Sequence, residues 1–310
     1  MVMETRNGSR YDFLADLKKV ICQELSTLGY PQAQGEDLNN VLIRYFNLQR
    51  KVPTVLAWTV KQSKELVAKS FPKSIRLGLQ QFIQKAESGQ NLKPHLSTQS
   101  DNPDYKDLMF YDWEVFHFHL GTKPHPKQQR FVERTSDLLF AIADSNKEEM
   151  YLIDIHPHHG GFTNQDLLRI IEENWAEILN LYTLKRTIRL PYNVSDDDIG
   201  SLRKAGIDTI LQTPSGRVLK PMGGGITSAG NSTRDRRAAD RLRTGVCQLE
   251  KWFVQQQASI EDYFKSNYGK NWNDLTFKVK SFGAPVEIEE ISTGEVLAIH
   301  KLDKDGNFRR

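Results

Sequence analysis

The spacing of the apolar residues changes along the chain, and this change constrains the fold most strongly. In the first hundred residues they recur every three or four positions, as at Leu14, Leu17 and Ile21, which predicts amphipathic helices. From Val115 to His156 they alternate with other residues instead, which predicts β-strands. The sequence therefore predicts an α+β fold that begins with a helical N-terminal region.

Three alternating runs, at residues 115–120, 136–143 and 151–156, predict a central antiparallel meander. We expect all the large apolar residues of the runs to share one face, which a following helix covers. The opposite face would then stay open. It would carry His117, His119, Asp154 and His156, with the small Ala141 and Ala143 leaving a trough between the outer strands.

Histidines are concentrated in this central segment, because six of the eight lie between residues 117 and 159. Histidine exchanges a proton near neutral pH more readily than any other side chain. The connection at residues 121–135 is long and basic, and a guanidinium within it can hold two phosphate oxygens at once. We therefore predict an acid–base site for an anionic substrate, made of His117, His119, Arg134, Asp154 and His156.

Two other interpretations of the same residues stay open. In the first, His117, His119 and His158 bind a divalent metal ion, with His156 or Asp154 as a further ligand. In the second, the histidines are structural and the chain is not an enzyme. The helical N-terminal region and an arginine-rich helix would then bind a protein or a nucleic acid.

The last third of the chain shows clearer structural signals than chemical ones. Ser195 followed by three aspartates predicts a capped helix start. A basic helix over about residues 232–266 and a C-terminal hairpin at residues 286–302 follow. Between them lies a glycine-rich loop that is either a flexible linker or a phosphate-binding loop. The residues that would bind a phosphate there are Gly223, Gly224, Gly225, Thr227 and Ser228.

Composition excludes several classes of protein. No apolar run approaches the length of a membrane helix, and no signal peptide is visible, so we expect a cytoplasmic protein. The only cysteines, Cys22 and Cys247, exclude a disulfide scaffold and a CxxC zinc site. A polar stretch at residues 88–107 reads as a linker. We therefore predict three regions, at residues 1–104, 105–194 and 195–310.

The predicted order is helices followed by a short meander, which bears His117, His119, Arg134 and His156. Over about residues 105–185 this pattern resembles the RelE-type core of bacterial toxin ribonucleases. Such toxins are shorter and more basic, and they do not normally use six histidines. The resemblance implies metal-free RNA cleavage by basic and proton-transferring side chains. The whole chain also resembles open reading frames of bacterial mobile elements, some of them linked to phage defence.

Together these observations predict a toxin- or defence-type nuclease that acts on RNA or nucleotides. One imidazole, of His119 or His156, would take the 2′-hydroxyl proton and the other would protonate the leaving oxygen. Arg134 would stabilise the charged phosphorane, while His117 and Asp154 would orient the pair. The expected partners are the RNA or nucleotide substrate and a protein such as an antitoxin or a complex subunit, without a membrane.

Overall fold

The computed structural model of the protein describes residues 11–30, 35–186, 189–282 and 285–299. The α-helices in these ranges are α1 (Phe13–Thr27), α2 (Leu38–Arg50), α3 (Lys64–Ala68), α4 (Lys73–Glu87), α5 (Leu108–Trp113), α6 (His158–Gly161), α7 (Asp166–Asn180), α8 (Asp196–Lys204), α9 (Thr233–Gln255) and α10 (Gln257–Tyr268). The strands are β1 (Thr59–Gln62), β2 (Phe116–His119), β3 (Asp137–Asp144), β4 (Glu149–Pro157), β5 (Leu211–Gln212), β6 (Val218–Leu219), β7 (Phe277–Ser281), β8 (Val286–Glu290) and β9 (Val296–Ile299).

The chain divides by its contacts into two compact units. One unit comprises residues 46–236, and the other combines residues 1–45 with residues 237–310. Because this division groups the two ends of the chain together, it follows contacts in space rather than order in sequence. The three regions expected from composition and linkers stay a prediction.

The larger unit is built on a four-stranded sheet with the strand order β1-β4-β3-β2. Strand β2 pairs antiparallel with β3, and β3 pairs antiparallel with β4, which confirms the predicted meander. Strand β1 pairs in parallel with β4 and lies in a region where the sequence predicted only helices. Its four residues, Thr59–Gln62, are too few and too polar to show a strand pattern.

The prediction that the large apolar residues share one face of this sheet is wrong. Phe118 lies opposite Leu139, whereas Leu138 and Phe140 lie on the other face, beside His119 and His117. Large apolar side chains therefore occupy both faces, because both faces are buried. Helix α4 contributes to the core on the Phe118 face, and helix α7 to the core on the Phe140 face.

A β-bulge between β3 and β4 determines which residues of β4 face helix α7. The register pairs Ala141 with Leu152 but Phe140 with Asp154, so Ile153 is the extra residue. The bulge places Leu152 on the opposite face from Asp154, although their spacing of two predicts the same face. Asp154 and His156 consequently share the face of Phe140.

The second unit contains α1, α10, β7, β8, β9 and most of α9, and the ring of Phe253 is fully buried within it. This ring meets Phe13 and Phe277 at centroid distances of 5.3 Å and 4.8 Å. Strands β7, β8 and β9 form an antiparallel sheet, and the β8–β9 pair confirms the predicted C-terminal hairpin. The end predicted for that hairpin, at residues 300–302, lies outside the described residues. The single helix predicted over residues 232–266 is interrupted at Gln256.

Capping fixes the start of helix α8 as the sequence predicts. The Ser195 side chain accepts from the Asp198 amide, and the Asp198 carboxylate accepts from the Ser195 amide. Within the described ranges, no helix is both long enough and apolar enough to cross a membrane.

Candidate functional site

Four of the predicted site residues lie on one face and toward one end of the larger sheet. His117 is opposite Phe140, which is opposite Asp154. His119 is likewise opposite Leu138, which is opposite His156. The outer strands are separated by two strand spacings, about 9.6 Å. The structure therefore brings these residues onto a common face, as the sequence predicts, but Phe140 and Leu138 stand between them in place of the expected alanines.

This face is covered rather than open. The exposed fractions of His117, His119 and Asp154 are 6%, 3% and 1%. The ring of Phe162, which lies between α6 and α7, meets the His117 ring edge-on at a centroid distance of 4.8 Å. The predicted trough between the strands is therefore filled, and only the side chain of His156 retains 17% exposure.

His119 is held as a neutral imidazole. Its Nδ1 accepts a hydrogen bond from the Thr135 amide at 3.1 Å, so the ring proton is assigned to Nε2. Burial lowers the pKa of His119 to about 4, and the positive charge of Arg134 acts in the same direction. At neutral pH this ring can donate a hydrogen bond, but it has no free nitrogen with which to accept a proton.

His156 forms a pair with Asp154. The His156 Nε2 lies 3.0 Å from the Asp154 Oδ2, which also pairs with Lys69. The Asp154 Oδ1 accepts from the Ile155 amide at 2.8 Å. Burial raises the pKa of Asp154, but the hydrogen bonds from His156, Lys69 and the amide outweigh burial and lower it overall. The ionised carboxylate lies beside Nε2 and so favours the tautomer with its proton on Nε2, which leaves Nδ1 as the acceptor.

The Nδ1 of His156 faces Asn164, whose Nδ2 lies 3.4 Å away. Asn164 is in the segment between α6 and α7, and its Oδ1 accepts from the Asp166 amide at 2.9 Å. The same turn therefore positions the imidazole and begins the covering helix. The 3.4 Å contact is long for a hydrogen bond, so a substrate hydroxyl that displaces Asn164 can reach Nδ1.

Arg134 and His158 lie near the buried histidines from the loop side. Arg134 is exposed, and His158 is partly buried in α6. Burial lowers the pKa of His158, and the charges of Arg134 and His117 add to this effect. Arg134 thus brings a positive charge to this end of the sheet, which favours an anionic ligand.

The side chain of His117 turns toward a second polar cluster. Its Nδ1 lies 3.6 Å from the Asp107 Oδ2. Both residues line a cavity of about 20 Å³ together with Lys51, Ser100 and Tyr105. Burial lowers the pKa of Lys51 to about 8. The cavity has room for about one water molecule, so His117 is placed for structural support rather than for contact with a substrate.

Sequence reasoning missed three residues of this site. Lys69 follows helix α3 and reaches Asp154 only through long-range packing, for which the sequence carries no signal. Phe162 and Asn164 lie in a turn, and their spacing matches no pattern. The proximity of Asn164 to the histidine-bearing strand was the one available indication.

The glycine-rich loop is used for packing within the chain. The amide of Gly223 donates to Asp112 O at 2.7 Å, and that of Gly225 donates to Tyr111 O at 3.0 Å. The amides of Gly224 and Thr227 bond to Pro221 O and Asn231 O. A Cβ at Gly223 would lie 2.3 Å from Tyr111 O. These hydrogen bonds do not favour phosphate binding by the amides, and Ser228 is exposed at the edge of the loop.

A metal centre was the alternative prediction for His117, His119 and His158. In the part of the chain that the structure describes, no group of three or more His, Cys, Asp or Glu side chains is arranged to hold a metal ion. The metal alternative stays a prediction.

Searches against protein-family models, curated proteins and solved structures find no match to this chain.

Proposed function

We propose that this chain cleaves phosphodiester bonds in RNA or nucleotides by proton transfer, in the manner of a toxin or defence nuclease. The observation that carries the proposal is the His156–Asp154 pair, with 3.0 Å between Nε2 and Oδ2. A buried carboxylate that fixes one imidazole nitrogen leaves the other ready to accept a proton. Nδ1 of His156 is that nitrogen, and it is the acceptor for the 2′-hydroxyl proton.

The other residues divide into those that contact the substrate and those that position the site. Arg134, exposed and beside His158, pairs with the phosphate and stabilises the charge that develops on it. Because burial lowers the pKa of His158, its ring is neutral at neutral pH, and the leaving oxygen takes its proton from water. His117 and His119 are too buried to reach the substrate, so they act as positioning residues.

The burial of His117 and His119 also favours a second candidate function. If the histidines only stabilise the sheet, the chain is an interaction protein that binds a protein or nucleic acid without cleaving it. The absence of any cleavage of RNA or nucleotides by the purified protein would favour this candidate.

Cleavage of a labelled single-stranded RNA tests the proposal. The wild type should cleave it, and His156→Gln should lower the rate about 10²–10⁴-fold because the proton acceptor is lost. Arg134→Gln should lower the rate while leaving the fold unchanged, since the side chain is exposed. His125→Asn serves as the matched control, because His125 accepts the Lys127 and Gln128 amides within its own loop. Equal rates for His156→Gln and the control would refute the proposal.

A further inference from the structure

A large polar groove lies beside the proposed site in the same unit. Its volume is about 790 Å³, within the range of small-molecule sites. The first turn of α7, the segment at residues 189–194 and the turn of the β5–β6 hairpin form its walls. Nothing in the proposed cleavage step accounts for this groove.

Specific hydrogen bonds hold the walls of the groove in place. The Gln165 side chain donates to Val194 O at 2.8 Å, and the Gln212 side chain accepts from the Leu190 amide at 3.2 Å. The Glu172 carboxylate accepts from Thr213 and Ser215 in the hairpin turn, at 2.9 Å and 2.6 Å. The segment and the hairpin are therefore both anchored, and the groove is preformed rather than a gap between loose loops.

Of the two arginines that line the groove, one is available to bind an anionic ligand. Arg169 binds both carboxylate oxygens of Asp166, at 2.5 Å and 3.1 Å, so these two charges compensate each other. Arg189 is exposed, and among the described residues no carboxylate or carbonyl pairs with it. An unpaired guanidinium at the edge of a polar groove is suited to a phosphate group.

An aromatic surface lies three residues from this cation. Tyr192 also lines the groove, and 72% of it is exposed. No ring contact or hydrogen bond holds it to another described residue. Exposed aromatic rings beside a cation bind nucleic-acid bases by stacking, whatever the base. Asn193 also lines the groove, and its side-chain amide can donate to and accept from a base edge.

Two contacts connect the groove to the proposed catalytic residue, His156. Asp166 lines the groove, and its amide donates to Asn164, which lies 3.4 Å from the His156 imidazole. We propose that the groove binds one nucleoside phosphate, with the phosphate on Arg189 and the base stacked on Tyr192. This assignment rests on the proposed function for its substrate class, and it names the subsite that places the neighbouring phosphodiester near His156.

Titration calorimetry with adenosine 5′-monophosphate, ribose 5-phosphate and a short adenine RNA tests the assignment. Arg189→Gln should raise the Kd of all three ligands about tenfold, because each carries a phosphate. Tyr192→Ala should raise the Kd of the two ligands with bases about tenfold and leave ribose 5-phosphate unchanged. The control Arg186→Gln, at an exposed arginine outside the groove, should change none of them.

The binding results test the groove independently of the proposed catalytic role of His156. Binding of the mononucleotide identifies free nucleotides as ligands, whereas binding of the RNA alone identifies a strand, and both support the groove. No binding of either, or a Kd that neither variant changes, overturns it. His156→Gln should bind adenosine 5′-monophosphate with an unchanged Kd. If this variant cleaves RNA normally, the catalytic proposal fails, and the calorimetry still decides the groove.

Discussion

Acidification should destabilise the fold through two buried imidazoles, His95 and His119. His95 is 1% exposed, and its Nδ1 donates to the His119 carbonyl at 2.8 Å. Its Nε2 lies 3.1 Å from the Lys85 ammonium and accepts from it. Both nitrogens of His95 are thus committed in the neutral form, and its ring packs edge-on against Phe82 at a centroid distance of 5.3 Å. A second proton would place an uncompensated charge in the core.

The size of the effect follows from the pKa values. Burial lowers the pKa of His95 to about 4 and that of His119 to about 4, against an ordinary value of 6.5. Between these values the unfolded chain binds protons that the folded chain does not, so stability falls as the pH falls from 6.5 toward 4. Each ring should lower the free energy of unfolding by about 2 kcal/mol between pH 7 and pH 5.

Urea denaturation of the wild type and of His95→Asn at pH 7 and pH 5 measures this effect. Asparagine keeps a donor near the Nδ1 position but cannot titrate. Burial raises the pKa values of Asp112, Glu114 and Asp235, which act with the opposite sign, so the comparison of variant with wild type isolates His95. The variant should lose about 2 kcal/mol less on acidification. Equal losses in both proteins would refute the reasoning, and His125→Asn should behave as the wild type.

Three further substitutions test other parts of the structure. Asp154→Asn should lower RNA cleavage about hundredfold, because the amide no longer fixes the His156 proton; an unchanged rate would contradict this role. In the wild type, Arg203 Nε lies 2.8 Å from the buried carboxylate of Asp112. Arg203→Met should lower the free energy of unfolding by about 3–5 kcal/mol, because it leaves that carboxylate buried and unpaired. A loss below about 1 kcal/mol in urea denaturation would contradict this reasoning. Gly225→Ala should destabilise by about 1–3 kcal/mol, since φ is +95° and a Cβ would lie 2.3 Å from Asp208. Its control Gly245→Ala, within α9 and with open space around it, should stabilise by about 0.5–1 kcal/mol.

The strands of the central meander could be predicted because residue spacing alone specifies them. The faces of the sheet could not, since the burial of both sides removes the contrast between apolar and polar positions. The bulge at Phe140 and Ala141 shifts the pairing of β3 with β4 by one residue, and no local sequence pattern predicts this shift. Strand β1 was missed for a related reason, because its pairing with β4 comes from a distant part of the chain.

Part of the candidate site was predictable by the same logic. Asp154 and His156 are two residues apart on one strand, so their shared face follows from the strand period. Their partner Lys69 comes from 85 residues earlier in the chain, and only the folded sheet brings it there. The neutral state of His119 depends on a backbone amide at Thr135, which sequence patterns do not reveal.

The proposed transfer of a ribose 2′-hydroxyl proton to His156 can be tested by the cleavage of matched oligonucleotides. One strand is RNA throughout, and the other carries a single 2′-deoxy position at the cleaved linkage. We expect wild-type protein to cleave the first to a 2′,3′-cyclic phosphate and to leave the second intact at that linkage. Equal cleavage of the two strands, or cleavage of neither, would contradict it.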